Sequence, residues 1–399
     1  MKFSKLSQLF LVSTIGLLVA TLLSACTLVT IDFVFVASSV GSGTGSAGQI
    51  ETYSLDSSSG ALRTGAPTVS SGGITPVAMV VTADYANLYV AHATDSASGS
   101  VVHFTISANG VLTLQQTIAT SFTPVAMAVN PAGTYLYVTG GTTSSQLATY
   151  PLSSGTIGSL ASQTSMVVGS DTVVPTAITV AIDNAEVYVT AYDKSAYNPG
   201  GSVTSTANPG WVFGFKASST TLPTAISSSP WKAGVKPSAI TTEPNNRFIY
   251  VTDYASNELI GYSIQSAGVL SYMVNGPFKT GNEPTAVVVD PRGLYIYVAN
   301  VLDSSLSCYS IVQSSGTPST ISSSTGTTDT NPVAVAVDPA IGRYVYTVNA
   351  LGNSVSGFRL NPDSGALSLT QATPYPTGYN PTALAIIPHG NHSVESVTP

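Results

Sequence analysis

Glu283-Pro284-Thr285-Ala286-Val287-Val288-Val289-Asp290-Pro291-Arg292-Gly293-Leu294-Tyr295-Ile296-Tyr297-Val298-Ala299-Asn300 is the stretch whose reading decides the fold. It opens with a Pro-x-Ala triplet leading into an apolar run. A polar Pro/Gly turn follows, and then a Tyr-Val run that ends in an amide. Proline suits the first residue of a strand, where its missing N–H costs least. Asp-Pro-x-Gly is turn chemistry, and the β-branched and aromatic runs on either side read as two antiparallel strands.

The phrase recurs. Its triplets begin at Pro76, Pro124, Pro175, Pro237, Pro284, Pro332 and Pro381, and the third residue is alanine in all seven. An alanine that never varies within one chain fits a place where strands converge and a larger side chain has no room. The Tyr-Val runs include Leu88-Tyr89-Val90, Tyr137-Val138, Tyr188-Val189, Tyr250-Val251, Tyr297-Val298 and Tyr344-Val345-Tyr346. They are apolar on both faces, as a strand sandwiched between neighbouring sheets must be. A third strand ends in an aromatic residue in every copy, at Tyr53, Phe104, Tyr150, Phe215, Tyr262, Tyr309 and Phe358. A weaker fourth follows a glycine-containing turn, as in Gly110-Val111-Leu112-Thr113-Leu114.

The spacing between prolines runs from 47 residues (Pro237 to Pro284) to 62 (Pro175 to Pro237). Four strands in a unit of that length make a propeller blade. The expected fold is therefore all-β: a seven-bladed β-propeller with four antiparallel strands per blade. The chain begins with a second strand, Asp32-Phe33-Val34-Phe35-Val36, and ends with a first strand, Ala383-Leu384-Ala385-Ile386-Ile387. The two ends are expected to complete one blade and close the ring without an open sheet edge. Two insertions, Ser38 to Gly48 and Tyr192 to Gly210, fall between second and third strands, on the face that carries the Pro-x-Ala triplets.

Residues 1–25 read as a leader. Lys2 and Lys5 precede an apolar run, Leu9 to Leu22, of about the length of a signal h-region and short for a transmembrane helix. The run closes on Leu23-Ser24-Ala25-Cys26, which resembles a bacterial lipoprotein signal. That resemblance implies acylation of Cys26 and a chain anchored outside the cytoplasm, on the periplasmic face or the cell surface. Residues 26–31 would be a short tether, 32–388 the propeller and 389–399 a tail. Cys308 is the one other cysteine, so no internal disulfide is possible in the mature chain.

The net charge of −7 becomes −9 once Lys2 and Lys5 leave with the leader, which argues against nucleic acid as a partner. Charged residues are 8% of the chain and hydrophobic ones 43%, which excludes disorder for most of its length. Gly43-Thr44-Gly45-Ser46-Ala47-Gly48 matches a dinucleotide fingerprint by pattern, but a strand follows it where a helix is required. No cofactor and no metal site is expected, and the protein is expected to be a monomer.

The units resemble YVTN-repeat and lactonase-type seven-bladed propellers. Tyr297-Val298-Ala299-Asn300 and Tyr250-Val251-Thr252-Asp253 carry that likeness, as does Asn275-Gly276-Pro277-Phe278-Lys279-Thr280-Gly281 before Pro284. The resemblance implies a fold that hosts lactone hydrolysis in some members and other roles elsewhere. The lactonase-type enzymes are expected to carry a His-containing motif where Val174-Pro175-Thr176-Ala177 stands here, and an Asp-rich phrase near Val189-Thr190-Ala191-Tyr192-Asp193. No histidine is present there, so no catalytic residue is carried over.

Of the four histidines, His103 precedes Phe104 in a column of small residues and reads as packed, and His389 and His392 lie past the last strand. His92 ends a second strand, in the column that holds Asp253, Asn300 and Asn349. Together with Lys236 and Glu283, each just before its proline, these make six candidates for a polar mouth: His92, Lys236, Asp253, Glu283, Asn300 and Asn349. A cation, a carboxylate, an imidazole and amides suit a sugar or sugar-acid ligand. The competing reading is that Asp and Asn cap local turns. The expected function is binding of a ligand or an envelope-protein partner on the loop face. The alternatives are a lactone hydrolase resembling 6-phosphogluconolactonase and a structural envelope protein.

Overall fold

The computed structural model describes residues 29–39, 47–93, 98–142, 144–195, 197, 210–321 and 326–389. The leader, Cys26, most of both insertions and all of the tail after His389 lie outside the described residues.

Seven antiparallel sheets form a closed ring. Blade 1 is built from both ends of the chain. Pro381–Pro388 is its innermost strand, Thr30–Ser38 the second and Gln49–Asp56 the third. Val36 pairs with Leu384 and Val34 with Ile386, so the ends close the ring as the split first unit requires. Blades 2 to 7 follow in chain order, with innermost strands Thr75–Val81, Pro124–Val129, Val173–Val180, Pro237–Thr242, Pro284–Val289 and Pro332–Val337. The fourth strand is continuous only in blade 2, as Leu112–Thr120; in the other six it is broken into two short pieces.

The repeated residues have distinct physical tasks. At every Pro-x-Ala triplet the ladder slips by one residue: Pro284 pairs with Asn300 but Ala286 with Ala299, leaving Thr285 as a bulge. The same slip occurs in the other six blades. A bulge twists and re-aims the chain at the end of a strand. Where the bulged residue carries a hydroxyl it can reach the next blade. Ser238 donates to the Pro284 carbonyl at 2.6 Å, Thr285 to that of Pro332 at 3.1 Å, and Thr382 to that of Pro76 at 2.7 Å.

Each blade interface holds its own apolar cluster, giving seven in all. The tyrosine of the Tyr-Val run sits in this layer and is fully buried, as at Tyr89, Tyr188, Tyr250, Tyr297 and Tyr346. In these five the hydroxyl donates to the carbonyl of a glycine in the next blade: Gly155, Gly268, Gly316, Gly365 and Gly60 respectively, at 2.6–2.9 Å. These glycines all have φ between 68° and 81°, which permits the turn that aims the carbonyl inward. The run is apolar but for one hydroxyl that needs a partner, and the neighbouring blade supplies it.

The invariant alanine packs in the same layer. Ala286 lies against the cluster of Tyr297, Ala299, Leu306 and Val345 between blades 6 and 7. Ala286→Leu adds three carbons there and is expected to cost about 1–3 kcal/mol. Chemical denaturation of the variant checks it; an unchanged midpoint would mean the layer has room.

Candidate functional site

The seven innermost strands wall the central channel and contain no Asp, Glu, Lys, Arg or His. Charged chemistry along this channel is therefore confined to the loops at its two ends, one of which is the mouth where the Pro-x-Ala triplets and the ends of the second strands meet.

The column inferred from sequence is real: His92, Asp253, Asn300 and Asn349 each pair with the proline of their own triplet. All four side chains, however, are turned into protein. Asp253 is fully buried; its Oδ2 accepts the Val235 amide at 2.7 Å, and its Oδ1 accepts those of Lys236 at 2.9 Å and Ala255 at 3.1 Å. Asn349 donates to Ser354 and Ser356, both at 3.0 Å, and its Oδ1 accepts from Thr347 at 3.1 Å. Asn300 repeats the two donations, to Ser305 and Ser307. Its Oδ1 has no partner among the described residues, because the position equivalent to Thr347 is Val298.

His92 is also fully buried. Its Nε2 lies 2.9 Å from Ser71 Oγ, and Gly73 packs so tightly on the ring that a Cβ there would fall 2.3 Å from it. Burial pushes its pKa down to about 4, so the imidazole is neutral at ordinary pH. The turn-capping and packing readings describe these four side chains as they stand. His103 is packed as its column suggested, stacked on Tyr89 with ring centroids 5.0 Å apart and bonded to Asn87 Oδ1 at 2.8 Å.

Lys236 and Glu283 are different: both are partly exposed, and the fold brings them together. The Lys236 ammonium lies 4.1 Å from the ring centroid of Tyr254, 4.3 Å from that of Tyr197 and 5.8 Å from that of Tyr192. A cation over aromatic faces is held by the ring quadrupoles. The tyrosines brace one another edge to face, Tyr192–Tyr197 at 6.0 Å and Tyr197–Tyr254 at 6.4 Å. Tyr192 and Tyr197 come from blade 4, Lys236 and Tyr254 from blade 5, and Glu283 leads into blade 6.

Glu283 completes the cluster. Its charge acts on Tyr254, Tyr197 and Lys236. Burial pushes the Lys236 pKa down, and the Glu283 and Asp253 carboxylates oppose that fall. Burial and then Glu283 raise the phenols of Tyr254 and Tyr197. Glu283 holds this position with a left-handed backbone, φ 54°, where blades 7 and 1 place Asn331 and Asn380. Asparagine tolerates that conformation and glutamate less so, and strain of this kind is characteristic of functional positions.

The sequence reading missed the three tyrosines. A signal for two of them existed: the residue after the mouth column is Tyr192 in blade 4 and Tyr254 in blade 5, but Ala93, Gly141, Val301 and Ala350 in blades 2, 3, 6 and 7. Tyr197 lies on an insertion and had none.

A family model described as "Lactonase, 7-bladed beta-propeller" matches residues 36–173, 202–316 and 268–384. The chain belongs to this lactonase family of seven-bladed propellers. Among solved structures, the periplasmic gluconolactonase of Pseudomonas aeruginosa is 17% identical with a TM-score of 0.74, over 90% of this chain and 100% of that one. Two proteins inferred to be 6-phosphogluconolactonases are similar to the same degree. That of Bacteroides uniformis is 17% identical with a TM-score of 0.73, covering 90% of this chain and 99% of that one. That of Bacteroides fragilis is 16% identical with a TM-score of 0.73, covering 91% and 99%. At these identities the likeness is one of fold. No curated protein sequence matches the chain.

Proposed function

We propose that this lactonase-family propeller binds a sugar or sugar acid at the Lys236–Glu283 mouth. The observation that carries the reading is the partly exposed Lys236 ammonium framed by three tyrosine rings and a carboxylate, at one opening of a channel whose strand walls are uncharged. Aromatic faces pack against the C–H side of a sugar, the lysine donates to a carboxylate or ring oxygen, and Glu283 accepts hydrogen bonds from hydroxyls. The protein is a lipid-anchored one outside the cytoplasm in this reading, held by Cys26. Thr30–Ser38 ends at the mouth, beside Pro381, so Thr30 lies at the opposite face. A lipid at Cys26 would thus hold the mouth away from the membrane.

Family membership favours a second reading, lactone hydrolysis. Glu283 would then activate water and Lys236 would stabilise the developing oxyanion. The nearest substitute for an imidazole base is that one carboxylate, and turnover of sugar lactones by the mature domain is expected to be slow.

One set of measurements separates the two. Calorimetric titration with gluconate should show binding, and Lys236→Ala should weaken it about 10- to 100-fold, the worth of a charge-assisted hydrogen bond. The melting temperature should barely move, because the ammonium is partly solvated. Affinity unchanged by Lys236→Ala would remove the site. Rapid consumption of gluconolactone above the spontaneous rate, abolished by Glu283→Gln, would replace the binding reading with the enzymatic one.

A further inference from the structure

The outer rim of the ring carries a cavity of about 200 Å³ where blade 7 meets blade 1. The Lys236 cluster draws on blades 4 to 6, so this is a separate place. The cavity wall includes Glu51 and Tyr53 of the third strand of blade 1, Thr64 and Thr68 around the break in its fourth strand, and Tyr375 and Pro376 of blade 7. The small Thr64 keeps the space open. In blade 5 Tyr272 stands where blade 1 has Thr64, each paired with the aromatic residue of its third strand. Tyr272 lies on Tyr262 with ring centroids 4.7 Å apart, and its hydroxyl reaches the Lys232 carbonyl of blade 4. A ring thus crosses the ground that blade 1 leaves empty.

One side chain in this wall is short of partners. Glu51 is partly buried, and its Oε2 accepts the Gly378 amide at 2.8 Å. The Tyr53 hydroxyl lies 3.3 Å from the same oxygen but 2.7 Å from the Pro376 carbonyl. A phenol has a single proton to give. In blades 5 and 6 Tyr262 and Tyr309 give theirs to the carbonyl at this place, that of Lys232 and of Lys279. Among the described residues, Glu51 Oε1 is left with the Gln49 side-chain amide at a long 3.5 Å. The ion pairs among those residues, Arg247–Glu243 and Arg292–Asp290, lie in other blades, and neither involves Glu51.

We propose that this cavity binds an alkylammonium group, either that of a small free amine or that of a lysine side chain. Glu51 Oε1 supplies the charge, and the Thr64 and Thr68 hydroxyls offer further acceptors for the three N–H groups of an ammonium. Tyr53 and Tyr375 add aromatic surface that attracts a cation and shelters the methylenes behind it. A guanidinium suits the cavity less well. It pairs best with both oxygens of a carboxylate, and one of them already serves Gly378. The volume is below the range of about 300–1,000 Å³ typical of sites for drug-sized ligands, so the occupant is a short chain.

Ligand-observed NMR on the mature protein tests the proposal with n-butylammonium, and with n-butanol as the uncharged control. The amine should bind with a Kd on the order of 1 mM, the scale open to so few atoms, and the alcohol about 10-fold more weakly or less. Glu51→Gln, which keeps an acceptor for Gly378, should weaken the amine about 10-fold. Thr64→Tyr should abolish binding by giving blade 1 the ring that blade 5 carries at Tyr272. Lys236→Ala should leave it unchanged, since the mouth is a different site. Acetyl-Gly-Lys-Gly-amide separates the two sources: binding as tight as that of n-butylammonium assigns the cavity to a polypeptide lysine, and weaker binding assigns it to a free amine. No saturable binding of either probe, or amine binding untouched by Glu51→Gln and Thr64→Tyr alike, would overturn the proposal. Should one of these two variants fail to fold, the other decides.

Discussion

Tyr297→Ala is expected to lower folding stability by about 3–5 kcal/mol, the range for removing a large aromatic side chain from a filled core. Tyr297 is fully buried between blades 6 and 7, and its hydroxyl donates to the Gly365 carbonyl at 2.9 Å. The loss has two parts that can be separated. Tyr297→Phe keeps the ring but strands a buried carbonyl, and is expected to cost roughly 1–3 kcal/mol. Tyr137→Phe provides the contrast. Tyr137 occupies the same position in blade 3 and is equally buried, yet its hydroxyl has no partner among the described residues. The facing turn of blade 4, Ser218-Ser219-Thr220-Thr221, has no glycine to present a carbonyl as the other turns do. Removing the Tyr137 hydroxyl is therefore expected to be neutral or stabilising. Urea denaturation of the three variants checks the set, and equal losses for Tyr297→Phe and Tyr137→Phe would refute the latch between blades.

Asp253→Ala is expected to cost about 2–4 kcal/mol, since three backbone amides would lose their acceptor in a buried loop. Those amides belong to Val235, Lys236 and Ala255, so the carboxylate shapes the turn that presents the lysine. Its removal should weaken both the fold and ligand binding, whereas Lys236→Ala should weaken binding alone. Asp253→Asn, which keeps one acceptor oxygen, should fall between wild type and alanine. A variant as stable as the wild type would show that Asp253 does not cap this loop.

The architecture was legible because its determinants are local and repeated. A proline without an N–H opens each Pro-x-Ala triplet, a turn follows the innermost strand, and in six of the seven blades the second strand carries a fully buried tyrosine, so their spacing reports the fold directly. The split first unit foretold the closure for the same reason: a strand without its neighbour needs one. The site was legible only in part. Lys236 and Glu283 were picked out by their place before the proline, and the structure brings them together with three tyrosines drawn from two blades.

Sequence by itself determined seven blades, their strand order, the joining of the two ends and the column of residues at the mouth. The tertiary structure alone decided which members of that column face a ligand. Asp253, Asn300 and Asn349 look alike in sequence whether they point outward or cap a loop, and what turned them inward is the supply of unpaired amides and serine hydroxyls around them. His92 went inward because Gly73, nineteen positions away, leaves room for its ring.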